Sequence, residues 1–341
     1  MSETRSYVHK LLSRIAVLVL VLVLLLAGWG GYWYLGPFQA FGAETFVEIE
    51  HGMSSRSIAE ELARRGVVRS RWAFLLVRLI HPAAKLQAGE YRFGAMQTPF
   101  QVFEKIRKGQ IFYEEFTVPE GSNIFDIANL LRNGDTVNAT DFLKAAADTQ
   151  PIHDLDPIAP SLEGYLFPST YRVTHRTTAR QLCRMMTDEF RNQWSHLTNR
   201  TNSSELHRVV TLASLVEKET AVPGERPLVA AVFFNRLKLD MPLQCDPTTV
   251  YAALRQNRYN GIIHKSDLAN VDPYNTYAHA GLPPGPICNP GVLSIKAALN
   301  PASTDYLYFV AKPDGSGSHQ FSASLTEHEK AVLAYRRSPA H

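Results

Sequence analysis

The chain has 341 residues, 45% hydrophobic and 20% charged, with a formal net charge of +3. That is enough chain for roughly two domains of ~150 residues, and the balance excludes wholesale disorder, collagen and coiled coil. Near-neutral charge argues against a nucleic-acid binder driven by phosphate contacts. Three cysteines (Cys183, Cys245, Cys288), none in a C-x-x-C pair, exclude a disulfide scaffold and argue against a structural zinc site.

From Ile15 to Ala43 no residue is charged. Ile15 to Ala27 is aliphatic, and Gly28 to Leu35 adds Trp29, Tyr32, Trp33 and Tyr34. About 20 apolar residues span a bilayer as a helix, and Trp/Tyr clusters favour its interface. The expected organisation is a tail at 1–14 and a transmembrane anchor at 15–35. Arg5, Lys10 and Arg14 precede the run and Glu44 is the first charge after it. The positive-inside rule therefore puts the tail in the cytoplasm and the rest outside. For a bacterium this is a single-pass protein of the inner membrane with a periplasmic domain. Ala27-Gly28-Trp29 is a poor cleavage site, which favours an anchor over a cleaved signal peptide. At least one thiol stays unpaired there, and Cys245 and Cys288 could meet in the fold.

Two stretches align without gaps at an offset of 69 residues. Phe46–Gly52 is followed by Ile58-Ala59 and Leu62; Glu115–Gly121 is followed by Ile127-Ala128 and Leu131. Each reads as a strand, a Gly turn and a helix with Ser or Asn near its start. Such a unit is too small to hold a core alone. The first copy continues through a helix at Arg71–Ile80, a strand at Gly89–Phe93 and a helix at Pro99–Lys108. This pattern resembles LysM modules, which bind the amino-sugar backbone of peptidoglycan or chitin. The expected LysM-like module is 44–112. A generic βα packing unit would show the same pattern, so glycan binding by it stays open. The second copy lacks an obvious closing strand and is assigned to the start of the following domain, 113–341.

That larger domain reads as mixed α and β, making the whole chain α+β. A strand is expected at Tyr165–Val173 and helices at 178–194, 205–220, 226–238, 247–253 and 325–337. Short strands are expected at 306–310 and 319–322. A Pro/Gly/Asn-rich stretch runs from Asp272 to Gly291, and an irregular segment of that length is uncommon unless functional.

The helix at 205–220 ends in Leu215-Val216-Glu217-Lys218-Glu219-Thr220. Residues two apart on a helix point roughly 200° apart, so the two glutamates cannot face one cleft. Glu217 shares the apolar face of Leu206, Val210 and Ala213; Glu219 sits with Arg208, Thr211 and Leu215 on a mixed face. A carboxylate on a buried stripe is costly unless paired or protonated, and that is also how a general acid is made. Ala213 and Ser214, one turn back, leave room for a ligand. The competing reading is a partly exposed Glu217 at a fraying helix end.

Leu215–Thr220 resembles the signature of the YceG-like family, the endolytic murein transglycosylases of the MltG type. Further motifs agree in the family's order: Glu163–Pro168, Phe234–Leu237, Leu243–Thr248, Tyr274–Tyr277, Gly281–Ile287 and Tyr306–Val310. The resemblance covers nearly the whole chain. Cys245 departs from it, since Thr or Ser is expected there.

The resemblance implies cleavage of the β-1,4 bond between N-acetylmuramic acid and N-acetylglucosamine inside glycan strands, leaving a 1,6-anhydro-muramyl end without water. One carboxyl group suffices: it protonates the leaving oxygen and then takes the proton of the tethered 6-hydroxyl. Carried over by position, Glu217 becomes this acid/base. Gln244, Asp246, Asn275 and Tyr277 are candidates for holding sugar hydroxyls or acetamido groups. Asp246 before Pro247-Thr248-Thr249 is also a good helix N-cap. Glu163 is the candidate second carboxylate, orienting groove residues or pairing with Arg236. Tyr165, Phe167, Tyr308 and Phe309 could stack on pyranoses or simply fill core, and His319 and His328 read as polar surface. No metal-ligand spacing or phosphate loop is present, so no cofactor is expected. The expected partners are peptidoglycan strands and the membrane, with cell-wall synthases as further candidates. The alternative is a membrane-tethered peptidoglycan-binding scaffold for those synthases.

Overall fold

The computed structural model describes residues 2–134, 136–198 and 202–337; the side chains of residues 2–12 and of Trp33 lie outside the described part. The charges of Arg5 and Lys10, Met1 of the expected tail and the last four residues of the expected 113–341 domain therefore fall outside it. The chain divides into two compact units, Met1–Tyr113 and Glu114–His341.

The first unit begins with α1 (Ser2–Leu35). Its segment Ser13–Tyr32 has a mean hydropathy of 2.5 and is long and apolar enough to cross a membrane. The aliphatic side chains of this segment are exposed, the pattern of a helix whose cover is not protein. After it, β1 (Thr45–Ile49) pairs antiparallel with β2 (Gly89–Phe93), from Thr45 opposite Phe93 to Ile49 opposite Gly89. Alternation along the strands turns Val47, Ile49, Tyr91 and Phe93 inward. They share one core with Ile58 and Leu62 of α2 (Ser55–Arg64), Phe74 and Val77 of α3 (Arg71–Ile80), and Val102, Phe103 and Ile106 of α4 (Pro99–Arg107). Local chemistry sets the helix starts. Ser54 Oγ accepts the Ser57 N–H at 3.1 Å, and Thr98 with Gln101 forms a capping box ahead of Pro99.

In the second unit β3 (Glu114–Thr117) pairs antiparallel with β4 (Thr170–Val173). The second copy of the repeat thus does have a closing strand: Thr117 faces Thr170, 53 positions along the chain. Between them lie α5 (Ile124–Arg132) and α6 (Ala139–Ala146). Next come α7 (Ala179–Leu197), α8 (Ser203–Glu219), α9 (Arg226–Lys238), α10 (Asp246–Arg255), the short α11 (Lys265–Leu268) and α12 (Val292–Leu299). A hairpin of β5 (Tyr308–Ala311) and β6 (His319–Ser322) and then α13 (Leu325–Arg337) end the described chain. α8 is buried almost continuously from Leu206 to Val216 and packs against α9, α10 and α12.

Three features depart from expectation. The strand expected from Tyr165 starts only at Thr170, because the N–H groups of Gly164 and Leu166 donate to Asn289 Oδ1 (2.8 and 2.9 Å) rather than to a ladder partner. α6 and α12 form where no helix is expected. α12 buries Ser294, Ile295 and Ala297–Leu299, leaving no polar face to produce a 3.6-residue period. The three cysteines are buried and free, and Cys288 donates to the Ser214 carbonyl instead of meeting Cys245.

Candidate active site

The last turn of α8 presents Glu217 and Glu219 to different surroundings. Glu217 lies on the buried face, as its position on the wheel requires, but its carboxylate is fully engaged. One oxygen accepts from Arg226 Nη2 at 3.1 Å and the other from the Gly291 N–H at 2.9 Å. The Glu217 and Arg226 side chains are only 6% and 8% exposed. The room expected beside Ser214 is also filled: the Ile287 N–H donates to Ser214 Oγ at 3.0 Å. The apolar face of α8 is therefore closed by segment 287–291 and is not a cleft. Arg226 also approaches Glu120 Oε2 at 3.9 Å. Burial, then the charge of Glu217, lifts the Glu120 carboxyl above its ordinary value against the pull of Arg226.

Glu219 turns to the other side and remains partly exposed. Burial of its carboxyl group raises it above the ordinary carboxylate range, and the charge of Asp246 adds to this. The Cys245 thiol donates a hydrogen bond to it, and His319 and Arg236 act in the same lowering direction. The segment facing it is strapped in place from both sides. Arg236 on α9 donates to the carbonyls of Leu307 (2.7 Å), Pro242 (3.2 Å) and Leu243 (2.9 Å). The N–H groups of Gln244 and Cys245 donate to the Thr276 carbonyl (3.2 Å) and hydroxyl (3.0 Å) respectively. Gln244 holds φ = +51° and keeps its side chain exposed. Asp246, also exposed, accepts the Tyr277 hydroxyl at 2.5 Å.

This groups Asp246 and Tyr277 of the expected site with Glu219 rather than Glu217; Gln244 precedes Cys245, the thiol that meets Glu219. Asp246 is the first residue of α10, with Cys245 at the cap position, so the N-cap role is not the one its side chain plays. Asn275 is fully buried and spends its amide on structure. Its Nδ2 donates to the carbonyls of Asp267, Leu268 and Asn270, and its Oδ1 accepts the Tyr277 N–H. Glu163 does not meet Arg236. It is buried and accepts from the Ile124 N–H and from Asn289 Nδ2, both at 3.0 Å. Burial pushes its carboxyl up to about 8.

Sequence reading misses three participants. Asn289 joins Gly164, Leu166, Glu163 and the Ser122 carbonyl; a lone Asn in a Pro-rich segment gives no signal of that. His319 is paired with Glu225, accepting or donating at Nδ1 over 2.7 Å while its N–H donates at 2.8 Å. Thr220, directly after Glu219, donates to the Glu225 carboxylate at 3.4 Å. Nor is His328 plain surface, for it stacks on Tyr308 at 5.1 Å. Of the aromatic candidates, Tyr165 and Phe167 are core; the Tyr165 hydroxyl donates to Asp156, which also binds His207 Nδ1 at 2.6 Å. A cavity of about 540 Å³ lined by Arg208, Val209, Leu212 and Phe234 lies toward the other end of α8 and contains none of these groups.

A desolvated carboxyl group held toward its protonated form, near an exposed carboxylate and a half-buried phenol, suits proton transfer to an oxygen of a polyhydroxylated ligand. Comparison with known proteins agrees in class. The model of the YceG-like family matches residues 47–334. An endolytic murein transglycosylase of Bacillus subtilis is 33% identical over 307 residues, covering 85% of this chain and 84% of that protein. One from Streptococcus pneumoniae is 30% identical over 363 residues, covering 95% of this chain and 65% of that protein. The crystal structure of a yceG-like protein from Listeria monocytogenes aligns with a TM-score of 0.53 at 31% identity, covering 84% of this chain and 98% of that one.

Proposed function

The chain belongs to the YceG-like family, and from that premise we propose that it is an endolytic lytic transglycosylase of peptidoglycan with Glu219 as its acid/base. The substrate is the β-1,4 bond between N-acetylmuramic acid and N-acetylglucosamine. Glu219 gives its proton to the bridging oxygen as the C1–O bond breaks. The resulting carboxylate then takes the proton of the muramyl 6-hydroxyl as that oxygen bonds to C1. The 1,6-anhydro ring closes, the carboxyl group is restored, and no water is consumed. Two-carboxylate glycosidases need a second group to activate water or to act as nucleophile. Here the nucleophile is tethered, and intramolecular attack supplies the effective molarity. Gln244, Asp246 and Tyr277 are proposed to hold the sugars.

The observation that carries the assignment is the contrast between the two carboxyl groups. Glu217 has both oxygens occupied by N–H donors of the protein itself, whereas burial holds the Glu219 carboxyl above its ordinary value, close to the charge of Asp246. The reading also includes α1 as a single-pass anchor with the N-terminus in the cytoplasm and the second unit in the periplasm. There the enzyme would trim or terminate nascent strands, with synthases as partners. The β-α-α-β order of β1, α2, α3 and β2 supports a LysM-like role for residues 44–112 in gripping glycan.

End-group chemistry tests the activity. Sacculi treated with the full chain should release muropeptides ending in 1,6-anhydro-muramic acid by mass spectrometry. Reducing ends would mean hydrolysis, and intact glycan would leave only a scaffold.

A further inference from the structure

α3 carries two apolar faces, separated by Arg71 and Arg78. Ala73, Phe74 and Val77 face the core of the first unit, while Trp72, Leu76, Leu79 and Ile80 point outward; Leu79 and Ile80 are each 75% exposed and Trp72 56%. The outward set recurs at i, i+4, i+7 and i+8, one continuous stripe. A surface helix with one core-facing stripe normally shows polar residues on its opposite face, whereas this one shows a second apolar stripe. The stripe is extended by Phe100, whose ring packs against His81 at the end of α3 (5.8 Å). Met96, which precedes Gln97 in the sequence, is also exposed.

The end of the anchor helix lies beside this stripe. The hydroxyls of Tyr34 and Ser70, the residue before α3, share a hydrogen bond of 2.5 Å. Phe38 pairs backbone to backbone with Gln97 (3.0 and 3.4 Å), and the Arg69 guanidinium sits over the Phe38 ring at 4.8 Å. The start of α3 is thus held two residues from the end of the apolar span Ser13–Tyr32. Charge adds to this: residues 44–112 hold eleven Lys and Arg against seven Asp and Glu, leaving 24 against 25 elsewhere. The excess positive charge of the protein is concentrated in the unit next to the membrane.

We propose that the Trp72–Leu76–Leu79–Ile80 face of α3, with Phe100 and Met96, lies on the bilayer surface beside the anchor, in the headgroup–acyl boundary. Tryptophan prefers that depth. A short amphipathic surface helix gains from buried apolar area and from attraction of its cations to anionic lipid. A second copy of this chain is a poorer occupant, because it would bring two net-positive units together. The proposal rests on α1 spanning the membrane. Its consequence is orientation, with the first unit lying against the lipid instead of swinging on a tether.

The test uses the full chain in vesicles of phosphatidylcholine and phosphatidylglycerol. Leu79→Cys and, independently, Ile80→Cys are labelled with an environment-sensitive fluorophore; the native cysteines are buried. Leu22→Cys reports on the anchor. The expected result is blue-shifted emission at positions 79 and 80, with strong quenching by doxyl-labelled lipid and little by acrylamide. Both should be unchanged when protein is diluted in lipid. Free access of acrylamide to both labels overturns the docking, with the anchor upheld if position 22 is quenched by lipid. Shielding that disappears on dilution assigns the face to a second copy and overturns it too. Shielding from lipid and acrylamide alike, at any density, assigns the face to another part of the chain with the same consequence. Acrylamide access at position 22 removes the anchor reading and this inference with it.

Discussion

Glu217 and Glu219 stand two positions apart on α8, and the roughly 200° between them sends one into an ion pair with Arg226 and the other toward Cys245 and Asp246. Glu217 accepts from Arg226, whose Nε has no hydrogen-bond partner among the described residues, so the guanidinium depends largely on that carboxylate. Removing one partner of a buried pair typically costs ~3–5 kcal/mol. Glu217→Gln retains an amide oxygen and should fall toward the lower end, seen as a reduced urea midpoint with the far-ultraviolet spectrum unchanged. Glu163 makes a pH-dependent prediction. Its carboxyl is raised from 4.5 to about 8 by burial, so the folded state favours the protonated form. The stability it contributes is complete below about 4.5 and is lost as pH climbs to about 8. Glu163→Gln should flatten the slope of unfolding free energy across that window, measured by urea titrations at its two ends. An unchanged slope would mean that other groups set it.

At the scale of elements, the turn that carries Glu163 is held by its neighbour. Gly164 has φ = +88°, and a Cβ there would stand 2.4 Å from Pro286 Cγ and 2.9 Å from Val210 Cγ1. Backbone strain of ~1–3 kcal/mol and overpacking of ~1–3 kcal/mol both oppose a side chain. Gly164→Ala should therefore lower the melting temperature markedly, and a parental value would contradict the packing described. The same turn shows what a sequence conceals. α3, α9, β2 and α13 have the bounds that periodicity and Pro/Gly punctuation predict, since each signal is local. β4 is short because an asparagine more than a hundred residues away takes two backbone donors. The helical wheel correctly separates the two glutamates and buries Glu217. It says nothing of what covers that face, and the cover comes from Arg226 and segment 287–291. Likewise Asn275 reads as a sugar-binding amide until its four hydrogen bonds are seen to be internal.

For the whole molecule, the candidate acid/base belongs to the second unit and the LysM-like arrangement to the first. Deleting residues 44–112 should weaken retention on sacculi, measured by co-sedimentation, more than it slows cleavage of short soluble glycans. Equal losses would show that the first unit is needed for cleavage itself. The central claim is tested most directly by anhydro-muropeptide release from sacculi by full-length Glu219→Gln and Glu217→Gln, with melting temperatures measured alongside. Glu219→Gln should melt at or above the parental temperature, since a desolvated ionisable group is made neutral. Its release should fall by at least ~10²–10⁴-fold, the usual contribution of general acid–base catalysis. Glu217→Gln should melt lower while its folded fraction keeps most activity. Parental release by Glu219→Gln, beside a folded but inactive Glu217→Gln, would contradict the account and return the acid/base to Glu217.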